Sequence, residues 1–382
     1  MAYDRAVRAA VLVLLASCSF EHGRVPGGTA SDGDIDAPDD GNGGGSDTGS
    51  DSGSNTGSTL RQKTITITGA VTGTLTDFPL WVSMTDADLA ADARSDGTDI
   101  HFVAGNSATP LDFQIQSWTK STGRLDAWVR VPSLATGAEL ALRYGDVTMA
   151  HAPDVPATFA GYAAVWHLDD SLTNNTIVDA RALRNGTAAM LGPSESVAAW
   201  LGRGISFKGG ADQITFTNPL AGTTPHTVSV WINQRATANN DAIIALGNAT
   251  PNQARWFHSR FETASIAIGL YANDFTTVNQ DVIGDGWVLL HWVFEGTNRM
   301  TRIYRDGVQV GTFQHNPGIN TQGTAGVIGN AAAGFGDNMG INATLDEVRI
   351  INVARSAAWI AAEFANQGAG STFYSVSAEQ MP

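Results

Sequence analysis

Thr301-Arg302-Ile303-Tyr304-Arg305-Asp306-Gly307-Val308-Gln309-Val310 is the stretch that decides the fold class. Asp306-Gly307 supplies the two positive-φ positions of a tight turn. Ile303-Tyr304 and Val308 to Val310 on either side favour extended backbone, so the segment reads as a β-hairpin. Similar runs surround it. Val288 to Phe294 lies just before, preceded by Ile266 to Tyr271, Ala242 to Leu246, Thr227 to Asn233, Gln213 to Thr217, Ile205 to Phe207 and Ala163 to Leu168; Thr344 to Ile351 follows. Each is short and bounded by turn residues, and this spacing predicts a two-sheet sandwich. Ser356 to Gln367 differs: Ser356 suits an N-cap, and Trp359, Ile360 and Phe364 give a helical stripe.

Nearer the N-terminus the pattern is strict alternation. Ile65 and Ile67 alternate with Thr64, Thr66 and Thr68, and Phe113 and Ile115 sit between Asp112, Gln114 and Gln116. Leu125, Ala127, Val129 and Val131 alternate with Asp126, Trp128 and Arg130, as Leu140, Leu142 and Tyr144 do with Ala141 and Arg143. Period two means half-buried antiparallel strands. Asp86 to Arg94, acids first and Arg last, reads as a short helix. Among 382 residues only 15% are charged and 42 are Gly, which suits a turn-rich, all-β protein. The net charge of −15 excludes unassisted nucleic-acid binding, which needs basic patches. One cysteine, Cys18, excludes intrachain disulfides and cysteine-based zinc sites.

Arg5 and Arg8 precede an apolar run, Ala9 to Leu15, too short to span a membrane. Leu15-Ala16-Ser17-Cys18 follows and resembles the lipobox of bacterial lipoproteins. The resemblance implies cleavage before Cys18, acylation there, and a membrane contact through the N-terminal lipid alone. Ser19 in place of Asp then implies an outer-membrane lipoprotein exposed to periplasm or cell surface. Residues 1–17 thus read as a signal peptide and 18–60 as a disordered Gly/Ser/Asp-rich tether, because Gly27 to Ser58 has almost no large apolar side chain to offset ordering entropy. Seven aspartates from Asp32 to Asp51 lack the fixed spacing and long Glu of an EF-hand and read as a solvated spacer.

The folded remainder divides into 61–158 and 159–382. Asp77-Phe78-Pro79-Leu80-Trp81-Val82, Asp86-Ala87-Asp88-Leu89, Asp96-Gly97-Thr98-Asp99-Ile100-His101-Phe102, Trp128-Val129-Arg130-Val131-Pro132 and Leu142-Arg143-Tyr144-Gly145 resemble the DUF2341 family. That implies a small sandwich-like β domain of bacterial surface proteins. Val165-Trp166-His167-Leu168, Val228-Ser229-Val230-Trp231-Ile232, Gly286-Trp287-Val288, Arg302 to Gly307 and Leu345-Asp346-Glu347-Val348-Arg349-Ile350 resemble laminin-G-like, concanavalin A-like jelly rolls. This resemblance implies binding to a glycan or an extracellular or envelope protein. It also implies one structural calcium ion, with Asp179 and Asp346 as ligands. On the residues alone, Asp179 equally reads as a turn cap and Asp346 as a salt-bridge partner.

The fold includes glucanases, but no Glu-x-Asp-x-Glu string, nucleophile elbow, His-Glu-x-x-His or P-loop is present, so no enzyme activity is expected. A structural or adhesive spacer without small ligand is the alternative, and a glycan-active hydrolase a further one. His167, His258 and His291 read as structural histidines. Trp166, Trp231 and Trp292 are expected between the sheets. The densest candidate ligand surface is Trp256, His258, Arg260, Tyr271 and Asn273, with Asp337 and Asn338 of the Gly-rich loop rimming the same end. Trp256 is expected at a loop–strand junction, offering its ring to a glycan and removable without loss of stability.

Overall fold

The computed structural model describes residues 60–381 apart from 106, 108, 147–150, 237–239, 261–264, 272–273, 278 and 332–338, and not the side chains of 240, 258–260 and 298. Cys18 and the tether up to residue 59 lie outside the described residues.

The smaller sandwich contains β1 (Arg61–Ile67), β2 (Leu75–Thr85), β3 (His101–Ala104), β4 (Phe113–Thr119), β5 (Arg124–Leu134) and β6 (Glu139–Tyr144). One sheet has β1 beside β6 and β6 beside β3; the other runs β2-β5-β4. Alternation buries Ile65, Phe78, Leu80, Phe102, Phe113 and Leu142 between them, none more than 1% exposed. Helix α1 (Ala87–Asp92) is capped by Asp86, whose carboxylate accepts from the backbone N–H of Asp88 and Leu89. The same carboxylate and that of Asp88 each lie 2.7 Å from the buried ammonium of Lys63. Gly123 must be glycine: its φ is +66°, and a Cβ there would sit 1.9 Å from the Asp86 carbonyl oxygen.

After α2 (Val155–Thr158) the jelly roll begins with β7 (Tyr162–Trp166), β8 (Thr176–Ile177), β9 (Gly186–Ala189), β10 (Ser196–Ala199), β11 (Gly202–Lys208) and β12 (Gln213–Thr217). It continues through β13 (His226–Ala236), β14 (Asn240–Gly247), β15 (Ala254–Arg260), β16 (Ser265–Gly269) and β17 (Phe275–Thr276). Strands β18 (Val288–Phe294), β19 (Met300–Arg305), β20 (Val308–Gln314), β21 (Ala325–Ile328) and β22 (Asn342–Ile351) complete it. Two antiparallel sheets face each other, one in the order β10-β11-β22-β13-β18-β19-β20 with β7 also on β22, the other β17-β16-β15-β14-β21-β12-β9-β8. The expected hairpin forms: Arg305 pairs with Val308 across Asp306-Gly307. Trp166 and Trp292 fill the core with Phe207, Ile232, Phe257 and Leu345. Trp231 corrects the sequence reading. It is buried, but its neighbours Val230 and Ile232 take the core side, and its indole Nε1 donates to Gln367 at 2.7 Å on the outer face.

Helix α3 (Ala357–Gln367), with Ser356 as its N-cap, lies on that outer face, and the chain then returns to the smaller sandwich as β23 (Tyr374–Val376). Ile65 pairs with Val376 and Ile67 with Tyr374. Trp359, Ile360 and Phe373 join the core of the smaller sandwich, with the rings of Trp359 and Phe373 5.0 and 6.3 Å from Phe78. The closing segment, expected to belong to the jelly roll, therefore completes the other sandwich. A local reading assigns a strand to its sequence neighbours; here the open edge of β1 claims it.

Candidate functional site

Each expected ligand residue has a definite place. Trp256 lies on β15 and not in a loop, and is only 7% exposed. It packs with Ala242, Ala245, Ala254, Val327 and Met339 on the outer face of its sheet. This corrects the expectation of a presented ring: small neighbours let the sheet and the approaching Met339 enclose the indole. Tyr271, 46% exposed with φ of +71°, meets Trp256 edge-on at 5.9 Å. His258 and Arg260 occupy β15, but their side chains lie outside the described residues, as do Asn273, Asp337 and Asn338 altogether.

The two expected calcium ligands do different work. Asp179 is 1% exposed, and its carboxylate accepts four backbone N–H groups, from Val165, Arg181, Leu183 and Arg184, at 2.8–3.1 Å. N–H dipoles converging on a carboxylate are the electrostatic opposite of a cation's surroundings. Asp346 accepts from the Leu201 N–H at 2.7 Å through one oxygen, and burial, with Glu347 beside it, pushes its carboxyl well above the usual range. Asp179 therefore does not fit the ion implied by resemblance, and no group of three or more His, Cys, Asp or Glu able to hold a metal occurs among the described residues.

The concave site lies elsewhere, at a place the sequence did not single out. A cleft of about 600 Å³ opens where the β2-β5-β4 sheet, the β10–β11 hairpin and the segment after α3 meet. Trp200 stands on its wall, half-buried. Its ring stacks on Trp231 at 4.7 Å, and its Nε1 donates to the Gln367 carbonyl at 2.9 Å. Asn366 pins the helix to β2, accepting from Trp81 N at 2.7 Å and donating to Trp81 O at 3.0 Å. The Tyr374 hydroxyl accepts from Ser83 N and donates to Ser83 O. Opposite, Gln116 donates to the Leu201 carbonyl at 3.3 Å. The walls are thus tied together by backbone-directed bonds. Of the charges lining the cleft, Arg124 is held by Asp126 and the Ser83 hydroxyl, Arg203 by Ser196, and Asp169 is exposed.

Beneath the cleft runs a buried ionic chain that joins the two sandwiches. His167 Nδ1 lies 2.8 Å from Glu347, and Nε2 lies 3.0 Å from Gln114 of the smaller sandwich. Arg349 donates to Glu347 at 2.7 Å and to Glu363 of α3 at 3.1 Å, with its guanidinium 4.2 Å from the Trp128 ring centre. Glu363 in turn meets His291 Nε2 at 2.9 Å. Burial alone would lower the pKa of His167, but Glu347 outweighs it and holds the imidazolium above its ordinary value. Burial likewise raises the pKa of Glu363, yet His291 and Arg349 bring it down to about 2. Glu347 sits at a β-bulge with φ of +53°, a left-handed conformation uncommon for a side chain of this size. His167 and His291, read from the sequence as structural histidines, each pair with a buried carboxylate.

This arrangement defines a two-sandwich, all-β protein with a jelly roll of concanavalin A type. The chain carries a DUF2341 domain, described as a domain of unknown function, matched over residues 96–174. It also carries a Laminin_G_3 domain of the concanavalin A-like lectin/glucanase superfamily, matched over residues 208–361. No curated protein matches the chain. Among solved structures it is similar to the Trypanosoma rangeli sialidase in complex with 2,3-difluorosialic acid, at 12% identity over 55% of this chain and 34% of that one, with a TM-score of 0.43. It is also similar to domain 4 of AbnA, an extracellular arabinanase from Geobacillus stearothermophilus, in complex with arabinotriose, at 15% identity over 52% of this chain and 96% of that one, with a TM-score of 0.41. The binding domain of Paraclostridial mosquitocidal protein 1 matches at 12% identity over 54% and 51%, with a TM-score of 0.40. The chain thus spans about a third of the sialidase and half of the mosquitocidal binding domain, and these likenesses concern the fold alone.

Proposed function

We propose that this chain is a non-catalytic binding protein of the bacterial envelope, anchored through acylated Cys18, whose interdomain cleft takes a neutral glycan. The observation that carries the reading is the cleft itself. Its volume of about 600 Å³ lies in the range of small-ligand sites, and Trp200 stands beside hydroxyl, carboxylate and guanidinium groups. An indole face accepts the C–H face of a sugar ring, while its hydroxyls pair with polar neighbours. Two arginines and two aspartates line the cleft, so its charges balance and favour neutral sugars. Asp346 and Glu347, the adjacent carboxylates of the jelly roll, are buried outside that lining, which supports binding without hydrolysis.

The test is a glycan array with the mature chain, followed by calorimetry on any hit. Trp200→Ala should weaken binding at least tenfold, whereas Tyr271→Ala should leave it unchanged. Equal affinity of the Trp200 variant, or no glycan bound, would remove the reading. For the anchor, Cys18→Ser should shift the protein from the detergent to the aqueous phase, and outer-membrane fractions should lose it. No helix among the described residues is long and apolar enough to cross a membrane.

A further inference from the structure

We propose that the end of the jelly roll holds a buried small inorganic anion, of chloride size and charge, gripped by Arg255 between His226, His315 and Thr321. Arg255 shares the inward side of β15 with Phe257, and its side chain enters the space between the sheets, wholly buried. Nη2 donates to the Gly222 carbonyl at 2.9 Å, and Nη1 lies 2.5 Å from His226 Nδ1 and 3.1 Å from its Nε2. The guanidinium carbon sits 5.0 Å from the Phe294 ring centre. No carboxylate among the described residues pairs with it. Burial pulls its pKa down to about 9, which still leaves it charged at neutral pH.

The neighbours do not supply the missing negative charge. His226 and His315 are wholly buried, and burial together with Arg255 holds both neutral, His315 down to about 4. The edge of the neutral His226 ring faces Arg255, and its Nδ1 also lies 3.1 Å from the Thr224 carbonyl. His315 Nε2 lies 2.7 Å from the Thr301 hydroxyl; when that hydroxyl donates, Nδ1 carries the proton. Three buried polar groups then have no acceptor among the described residues: Arg255 Nε, His315 Nδ1 and the Thr321 hydroxyl. They belong together. Gly222 O accepts from both Arg255 Nη2 and Thr321 N, and the Phe294 ring that carries Arg255 also packs on His315 at 6.1 Å. Neighbouring donors around a cation that no described carboxylate compensates are the chemistry of an anion site, and a metal ion is repelled there. Complete enclosure restricts the ligand to a single small ion and excludes a sugar acid or a peptide carboxylate.

The experiment compares thermal melts of the mature protein, dialysed into sodium gluconate, in sodium chloride, sodium bromide and sodium gluconate at equal ionic strength. Gluconate is too large to enter. Chloride and bromide should raise Tm by roughly 2–4 °C per tenfold increase above Kd, and Arg255→Met should abolish that dependence. Should the variant fail to fold, bromide-soaked wild-type crystals supply the second reading, an anomalous peak beside Arg255 Nε. Equal melts in chloride and gluconate, or an ordered water and no halide at that position, would overturn the proposal.

Discussion

Arg349 and Arg255 are the same residue, equally buried in the same jelly roll, with opposite surroundings. Arg349 lies on the outer face of one sheet between Glu347 and Glu363, and those carboxylates, opposing burial, raise its pKa. Arg255 lies between the sheets beside two neutral imidazoles, and burial lowers it. The contrast teaches that burial alone says little about an ionic group; its partners decide whether it ties elements together or leaves an open electrostatic demand. Arg349 joins β22 to α3 and, through Trp128, to the smaller sandwich. Arg255 closes one end of a core.

The largest expected effect comes from removing the better-paired cation. Arg349→Met strands two buried carboxylates and should cost about 3–5 kcal/mol in denaturant melts. Adding Glu347→Gln and Glu363→Gln should recover part of that loss; an Arg349→Met protein within about 1 kcal/mol of wild type would break the comparison. Next, Trp256→Ala, beside Arg255 but on the opposite face of β15, should cost about 3 kcal/mol, since a buried indole leaves a cavity. A near-neutral result would return Trp256 to the surface.

The pH responses of the two regions should be opposite in sign. His167 has a raised folded-state pKa, so its contribution is full below about pH 6.5 and is lost as pH climbs through the folded value. His226 and His315 are depressed, so theirs is full above about pH 6.5 and is lost on acidification, through about pH 4 for His315. Stability profiles of His167→Gln and His315→Gln should flatten the alkaline and acid limbs respectively; parallel profiles would remove the distinction. The smallest effect is expected for Arg255→Met in gluconate, within about 1 kcal/mol of wild type, because it deletes a buried charge that lacks a carboxylate partner.

What the sequence revealed follows the range of the interaction responsible. The Asp306-Gly307 hairpin, the Ser356 cap, the short helix after Asp86 and the core positions of Trp166 and Trp292 rest on neighbours a few residues away, and each was legible. The structural role of His167 and His291 was legible, though their carboxylate partners were not. Trp256 looked like a loop–strand junction because Arg255, Trp256 and Phe257 are buried on both faces of β15, which erases the period-two signal. The cleft was invisible for a related reason: Trp81, Trp200 and Asn366 come from three separate stretches and acquire a common purpose only when β23 finds β1.

That last pairing bears on how the protein is made. Thr64 N donates a hydrogen bond to the hydroxyl of Ser377, 313 positions later, and Phe373 fills a core whose first members precede it by more than 300 residues. A chain emerging at about 5–20 residues per second would leave β1 without its second neighbour for roughly 15–60 s. Throughout that interval Ile65, Ile67 and Phe78 lack the apolar cover that Trp359 and Phe373 provide, and an exposed strand edge invites mispairing. The smaller sandwich is therefore the first to be synthesised and the last to be completed, and a chain released before Phe373 leaves its folding unfinished while the jelly roll's own strands are all present.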